Sequence, residues 1–167
     1  MTNYPYKILI DTNVWLDYFL CRDAQTHKAT RDLVVAAIMG DAVLYTSPAS
    51  LADVFFVLGQ EAKGFLRDDG ETVGKERAAA VRESSWASLR AIMELSLIVP
   101  LAQAEALSAF TFRDLHDDFE DDLILAAAAR ADVDYLVTSD KRLRLHAPRA
   151  CLSVEDMLTV LLARSGA

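Results

Sequence analysis

Apolar and polar residues alternate in blocks along this chain, and the blocks predict strands and helices in turn. Short apolar runs predict strands at residues 8–10, 42–46, 97–99, 135–138 and 150–153. Apolar residues at helical spacing predict helices at about residues 13–20, 26–39, 47–63, 72–94, 104–112, 119–131 and 154–163. This alternation predicts an α/β fold in three layers, with a parallel sheet of four to five strands covered on both faces. We expect a single domain over residues 1–167.

Individual residues predict where these helices begin and end and which faces they bury. Thr12 or Asn13 is expected to cap the first helix, and Gly40 to end the second as a residue beyond its last turn. Ile38, Leu107 and Phe110 are expected to face inward. Residues 113–118 are expected to form a polar loop, and the helix from about 47 to 63 to be mostly buried.

Composition narrows the class of protein. Hydrophobic residues make up 53% of the chain, which is enough for a packed core. The longest apolar runs fall far short of the roughly 18 residues of a membrane span. The first residues lack the charged flank and apolar core of a signal peptide, so we expect a cytoplasmic location. Cys21 and Cys151 are expected to be reduced thiols without a specific function. The three histidines are scattered along the chain, which argues against a zinc site.

The net charge of −8 argues against a broad electrostatic surface for nucleic acid. An acidic protein can still bind RNA where a metal ion and a local basic rim supply a positive field. If several acids converge, either a divalent cation or simple solvation must accommodate their charge.

Four aspartates have similar positions relative to the predicted strands. Asp11 ends the first strand, Asp53 and Asp121 lie in the first turns of helices, and Asp140 follows the strand at 135–138. Ligands of open parallel sheets bind at the carboxyl ends of the strands, where these acids are expected to meet. Each has a structural alternative: a helix cap, a turn or a solvated position. Asp11 is the hardest to explain that way, because an unpaired carboxylate at the end of an apolar strand is costly to bury.

Several carboxylates around one point favour a hard divalent cation. Mg²⁺ and Mn²⁺ prefer oxygen ligands and retain bound waters. Hydrolysis of phosphodiesters is a reaction that such sites catalyse. Thr12, Asn13, Thr138 and Ser139 offer hydroxyl and amide groups that could orient the carboxylates.

These residues occur in stretches that resemble the ordered motifs of the PIN-domain family. The stretches are Ile8 to Val14, Ser47-Pro48 with Leu51 to Val54, Asp118 to Asp121, and Leu136 to Asp140. The resemblance covers about residues 6–145. Within the family, the chain is most similar to VapC-type toxin ribonucleases of bacterial toxin–antitoxin pairs.

The resemblance implies a site as well as a fold. It places Asp11, Asp53, Asp121 and Asp140 at the acidic quartet of the family, as metal ligands and catalytic residues, with Asn13 and Thr138 as polar accessories. The second acid is often glutamate in the family and is aspartate here. Asp121 is chosen over its acidic neighbours because its separation from Thr138 suits the motif. The resemblance further implies Mg²⁺ or Mn²⁺, cleavage of an RNA substrate, a homodimer and inhibition by a cognate antitoxin protein.

Two other functions fit parts of the pattern. An aspartate-nucleophile phosphatase of the haloacid-dehalogenase type also places an aspartate at a strand end, but it needs a second aspartate where this chain has Asn13. A non-catalytic PIN-like scaffold that binds RNA or protein would use the same acids structurally. Lys141, Arg142 and Arg144 are candidate phosphate contacts or a solvated loop, whereas Trp15, Phe55, Phe56 and Phe65 are expected in the core.

Overall fold

The computed structural model describes residues 4–40, 42–68 and 74–165. Its strands are β1 (Lys7–Ile10), β2 (Val43–Thr46), β3 (Leu97–Ile98), β4 (Tyr135–Val137) and β5 (Cys151–Leu152). They form one sheet in the order β3-β2-β1-β4-β5, and every pair in it is parallel. The predicted parallel sheet is therefore confirmed.

The sheet is built outward from its central strand. Ile8 is in register with Leu44 on one side and with Tyr135 on the other. Beyond the last residue of β1, the Asp11 N–H donates to the Val137 carbonyl at 3.0 Å, so the ladder between β1 and β4 continues to this aspartate. Asp11 is consequently fixed by the sheet itself at the carboxyl edge of the central strand.

Helices connect the strands and cover the sheet. Their bounds are α1 (Thr12–Phe19), α2 (Ala24–Met39), α3 (Pro48–Asp68), α4 (Lys75–Leu95), α5 (Gln103–Ala109), α6 (Arg113–His116), α7 (Phe119–Ala131), α8 (Lys141–His146) and α9 (Val154–Ser165). None of the helices in the described residues combines the length and the apolar character needed to cross a membrane.

Alternate residues of β1 enter two separate cores. Ile8 and Ile10 pack with residues of α1, α2, α3, α4 and α9, whereas Leu9 packs with residues of α7 and α8. All three side chains have no exposed surface. Because successive side chains of a strand point to opposite faces, the two cores lie on the two faces of the sheet. The predicted three-layer α/β/α arrangement is confirmed.

Small alanine side chains allow α7 to pack closely. Ala126, Ala127 and Ala128 are all buried in the middle of this helix. The helix begins at Asp118, whose carboxylate accepts the N–H groups of Glu120 and Asp121 at 3.0 and 3.4 Å. This cap places the first turn, with its acids, at a defined position relative to β1.

Several local predictions are wrong. The first helix is capped by the Asp11 carboxylate, which accepts the Thr12 N–H, and not by Thr12 or Asn13. Gly40 caps α2 with φ −92°, which is not a left-handed conformation. Residues 113–116 form α6 instead of a loop, and the basic stretch after Asp140 forms α8 because the Asp140 carboxylate caps it.

Predicted inward faces also differ at the periphery. Ile38, Leu107 and Phe110 are exposed to 49%, 60% and 64%. Phe56 and Phe65 of α3 are exposed to 63% and 65%, so this helix is less buried than expected. Helical spacing identifies an apolar stripe on a helix, but it does not show how much of that stripe the neighbouring elements of the fold cover. The predicted helix start at Thr72 lies outside the described residues.

Candidate active site

Asp11 is a buried carboxylate held by three donors. It is 2% exposed. Its Oδ1 accepts the Thr12 N–H at 2.6 Å, and its Oδ2 accepts the Thr138 hydroxyl at 2.5 Å and the Asn13 amide at 3.2 Å. Together the backbone, Asn13 and Thr138 fix the orientation of this carboxylate.

Burial raises the pKa of Asp11 from 3.8 to about 6. The hydrogen bonds from Thr138 and Thr12 act in the opposite direction, because they stabilise the charged form. The charges of Asp121 and Asp140 are smaller contributions to this increase in pKa, as expected of acids that lie near Asp11. Three of the four predicted acids are therefore electrostatic neighbours.

Thr138 links Asp11 to Asp140. Its buried hydroxyl donates to Asp11 and accepts the Asp140 N–H at 3.0 Å. The Asp140 carboxylate in turn accepts the N–H groups of Arg142 and Leu143 at 2.6 and 3.2 Å. Asp140 thus has a structural role as the cap of α8, and this role places it beside Asp11.

Glu120 and Asp53 form a second acidic pair. Glu120 lies in the first turn of α7, and its Oε1 is 3.1 Å from the Thr12 hydroxyl. The pKa of Glu120 is raised from 4.5 to about 7, first by partial burial, then by the hydrogen bond and the charge of Asp53 and, more weakly, by the charge of Asp11, whereas the hydrogen bond with Thr12 lowers it. The Asp53–Glu120 pair therefore adjoins Asp11 through Thr12.

The carboxylate oxygens at this edge of the sheet are the ligand type that a hard cation prefers, although the side chains do not converge on one point. Carboxylate oxygens that repel each other are what Mg²⁺ or Mn²⁺ would neutralise. Within the described ranges, however, no group of three or more acidic, histidine or cysteine side chains converges tightly enough to hold a metal ion. The acids are neighbours, and their orientations are set by caps and hydrogen bonds.

Comparison with known proteins supports the family expected from the motifs. A family model described as PIN domain matches residues 7–142. This chain belongs to the PIN-domain family. No curated protein sequence matches it.

Solved structures with a similar fold share little sequence with this PIN domain. VapBC2 from Rickettsia felis, bound to a DNA fragment from the promoter, has a TM-score of 0.58 at 12% identity, covering 88% of this chain and 98% of that chain. FitAcB from Neisseria gonorrhoeae has a TM-score of 0.55 at 15% identity, covering 88% and 97%. PAE2754 from Pyrobaculum aerophilum has a TM-score of 0.56 at 18% identity, covering 95% and 96%. At such identities the likeness establishes the fold.

The PIN domain brings the predicted residues to one edge of the sheet in two groups. Asp11 has Asn13 and Thr138 as hydrogen-bond donors and Asp121 and Asp140 as charged neighbours. Asp53 interacts with Glu120, which in turn lies beside Thr12, the neighbour of Asp11. The roles of these residues in binding metal or in catalysis remain predictions.

Sequence reasoning did not assign three polar residues at this edge. Glu120 was set aside as an acidic neighbour of Asp121, although it is the partner of Asp53. Ser50 lies with its Oγ 3.0 Å from the Thr12 hydroxyl, and its position three residues before Asp53 on α3 is the pattern that could have identified it. Asp17 accepts a hydrogen bond from Ser139, and burial raises its pKa; nothing in the spacing indicated this contact.

Proposed function

We propose that this PIN domain is a metal-dependent endoribonuclease that hydrolyses RNA phosphodiester bonds. The supporting observation is Asp11, a buried carboxylate with three hydrogen-bond donors, whose pKa is raised to about 6 by burial and, to a smaller extent, by the charges of Asp121 and Asp140. A cation bound at this sheet edge would stabilise the charged form of a carboxylate that burial destabilises. PIN-domain proteins as a family are nucleases, and the family assignment supports the reaction class.

In this proposal Asp11, Asp121, Asp140 and Asp53 would hold Mg²⁺ or Mn²⁺. The bound ion would polarise the phosphoryl oxygen and lower the pKa of a bound water. Asn13 and Thr138 would keep the Asp11 carboxylate in one orientation, as their hydrogen bonds do here. Glu120 would keep the Asp53 carboxyl group near Thr12.

The direct test is cleavage of a single-stranded RNA with Mg²⁺ or Mn²⁺, compared with the same reaction in EDTA. We expect Asp11→Asn to lower the rate by roughly a hundred- to a thousand-fold, the scale seen when a preorganised charge-stabilising group is removed. Calorimetry with Mn²⁺ should show weaker binding to the same variant. Asp32→Asn is the matched control, because Asp32 is exposed on α2 and pairs with Lys28.

Activity that survives both EDTA and Asp11→Asn would contradict the metal mechanism. The lack of a tightly converged ligand group among the described residues favours one alternative, a non-catalytic PIN-like scaffold. For that alternative, calorimetry would show no binding of Mg²⁺ or Mn²⁺ to a folded protein.

We further propose that the protein is the cytoplasmic toxin of a toxin–antitoxin pair, acting as a homodimer with a cognate antitoxin. The VapBC2 structure, solved with a DNA fragment from the promoter, and the FitAcB structure support this biological role by similarity of fold. A small upstream open reading frame for a DNA-binding antitoxin, and co-purification of its product with this chain, would test the pairing. Light scattering of the isolated protein would test the dimer.

A further inference from the structure

Two exposed phenylalanines lie side by side next to the acidic residues. The rings of Phe110 and Phe119 are 6.1 Å apart between centroids and inclined at 51°. They are exposed to 64% and 54% respectively. Scattered exposed apolar residues need no explanation, but two adjacent aromatic rings offer a surface for a flat ligand.

Arginine side chains extend this surface. The two rings line a depression of ≈ 200 Å³ together with Arg113, Asp117 and Asp122. Arg113 and Asp117 also line a more open cleft of ≈ 420 Å³ with Asp114 and Arg142. The two depressions share residues and are therefore adjacent. We call the surface formed by Phe110, Phe119, Arg113 and Arg142 the aromatic–arginine groove.

The groove adjoins the candidate active site at both of its ends. Phe119 immediately precedes Glu120 and Asp121 at the start of α7. Arg142 lies in the first turn of α8, and its N–H donates to the Asp140 carboxylate at 2.6 Å. A chain that follows this groove would pass beside the acids.

We propose that the aromatic–arginine groove binds single-stranded RNA, with a base stacked on Phe119 and Phe110 and phosphates contacted by Arg113 and Arg142. This inference rests on the proposed ribonuclease function and names the residues that hold its substrate. Every nucleobase has a π-face that stacks on an aromatic ring, and guanidinium groups bind phosphates. Because three aspartates also line these depressions, the attraction for a phosphate would come from the two guanidinium groups at short range and not from a positive field of the whole surface.

The exposed ion pair in the groove leaves Arg113 accessible to a phosphate. The Arg113 Nε lies 3.4 Å from Asp117 Oδ1 in a pair whose side chains are 69% and 82% exposed. Exposed pairs of this kind contribute little stability, so phosphate can replace the carboxylate as the partner of Arg113. The centres of protein interfaces are depleted in charged residues, whereas this groove contains several. Duplex RNA hides the faces of its bases, which makes a single strand the expected substrate form.

The test measures binding of a labelled single-stranded oligoribonucleotide by fluorescence anisotropy in EDTA, and KM for its cleavage in Mn²⁺. Phe119→Ala and Phe110→Ala should each raise Kd about tenfold, the scale of losing one stacked base, whereas Phe119→Tyr should stay near wild type. Phe56→Ala is the matched control. Phe56 is 63% exposed and lines a separate depression between α3 and α4.

The arginines are tested by salt dependence. Replacing Arg113 and Arg142 together by glutamine should reduce the slope of log K against log salt concentration by about 1.4, because each single-strand phosphate contact contributes about 0.7. Arg82→Gln, in the depression between α3 and α4, should leave the slope unchanged. Duplex RNA of the same sequence should compete poorly.

Three results would overturn the inference. Wild-type Kd, KM and salt slope in the groove variants of an RNA-cleaving protein would exclude the groove and leave the ribonuclease function standing. Altered dimerisation or loss of a protein partner in Phe119→Ala, with unchanged Kd for RNA, would assign the groove to a protein interface. A wild-type protein that neither binds nor cleaves RNA would overturn both proposals.

Discussion

Asp11 and Glu120 are neighbouring acids whose surroundings differ. Asp11 ends the central strand, is 2% exposed and accepts three hydrogen bonds. Glu120 lies on the exposed first turn of α7 and faces the Thr12 hydroxyl and another acid, Asp53. Burial is the largest cause of the raised pKa of both groups. What differs is the largest interaction after burial: for Asp11 it is the hydrogen bond from Thr138, which favours the charged form, whereas for Glu120 it is the interaction with the acid Asp53, which opposes the charged form.

This difference separates a fixed group from an adaptable one. The N–H of Asp11 continues the sheet ladder, and its carboxylate accepts from the Thr12 N–H and from the buried Thr138 hydroxyl, so its orientation is set when the protein folds. Glu120 and Asp53 lie on two different helices, and the interaction with Asp53 favours the protonated form of Glu120. The orientation of Asp11 is therefore fixed by donors that favour its charged form, whereas Glu120 faces an acid that disfavours its charged form.

The largest effect is expected when the Asp11 charge is removed. Because its pKa is raised from 3.8 to about 6, the folded state retains a proton that the unfolded state releases between these pH values. Asp11 therefore lowers stability as the pH rises from about 4 to 6, and the loss persists above that range. In EDTA at pH 8, Asp11→Asn should raise the free energy of unfolding by as much as about 3 kcal/mol.

Urea denaturation at pH 4 and pH 8 measures this effect, which should nearly vanish at the lower pH. Asp32→Asn should change stability little at either pH, because Asp32 is an exposed member of a pair on α2. Equal stability of wild type and Asp11→Asn at pH 8 would show that the three donors fully offset the burial of the charge.

A smaller effect is expected when one donor of Asp11 is removed. Thr138→Val deletes the buried hydroxyl that donates to Asp11 and accepts the Asp140 N–H. Leaving these two groups without their partner should cost about 1–3 kcal/mol in denaturation experiments. Thr138→Ser retains the hydroxyl and should recover most of the loss, as judged by the same measurement. A stable Thr138→Val protein would show that water replaces the hydroxyl at this edge.

Hydrophobic patterning predicted the elements of the fold well because burial sets their periodicity. The strand β1 and the helix α7 appear where apolar runs placed them, since both are buried on the faces that the pattern identified. Patterning failed at Leu107 and Phe110, which have the spacing of an inward face but are exposed beyond the edge of the core. The extent of a core depends on distant elements, which local spacing does not contain.

The candidate site was predictable where a residue's position follows from the sheet. Asp11 and Asp140 follow neighbouring parallel strands, so topology alone brings them together. Topology does not distinguish Glu120 from Asp121 in the same way. Adjacent residues of a helix point in directions about 100° apart, so the rotation of the helix about its axis decides which of the two faces Asp11, and the sequence does not give that rotation. The rotation of α7 is set by its Asp118 cap and its buried alanines, and this rotation decides that Glu120 contacts Asp53 while Asp121 approaches Asp11.

The smallest effect is a shift in the titration of Glu120. With ¹³C-labelled glutamate in EDTA, its carboxyl resonance should titrate with a midpoint near the pKa of about 7. Asp53→Asn should lower the midpoint, because it removes the charge that opposes ionisation of Glu120, and it should leave the contribution from burial. Asp118→Asn is a useful comparison, because it changes an acid of the same turn that acts as a cap of α7. An unchanged midpoint in Asp53→Asn would show that burial alone sets the pKa of Glu120, and the contrast between a donor-held Asp11 and an acid-paired Glu120 would no longer hold.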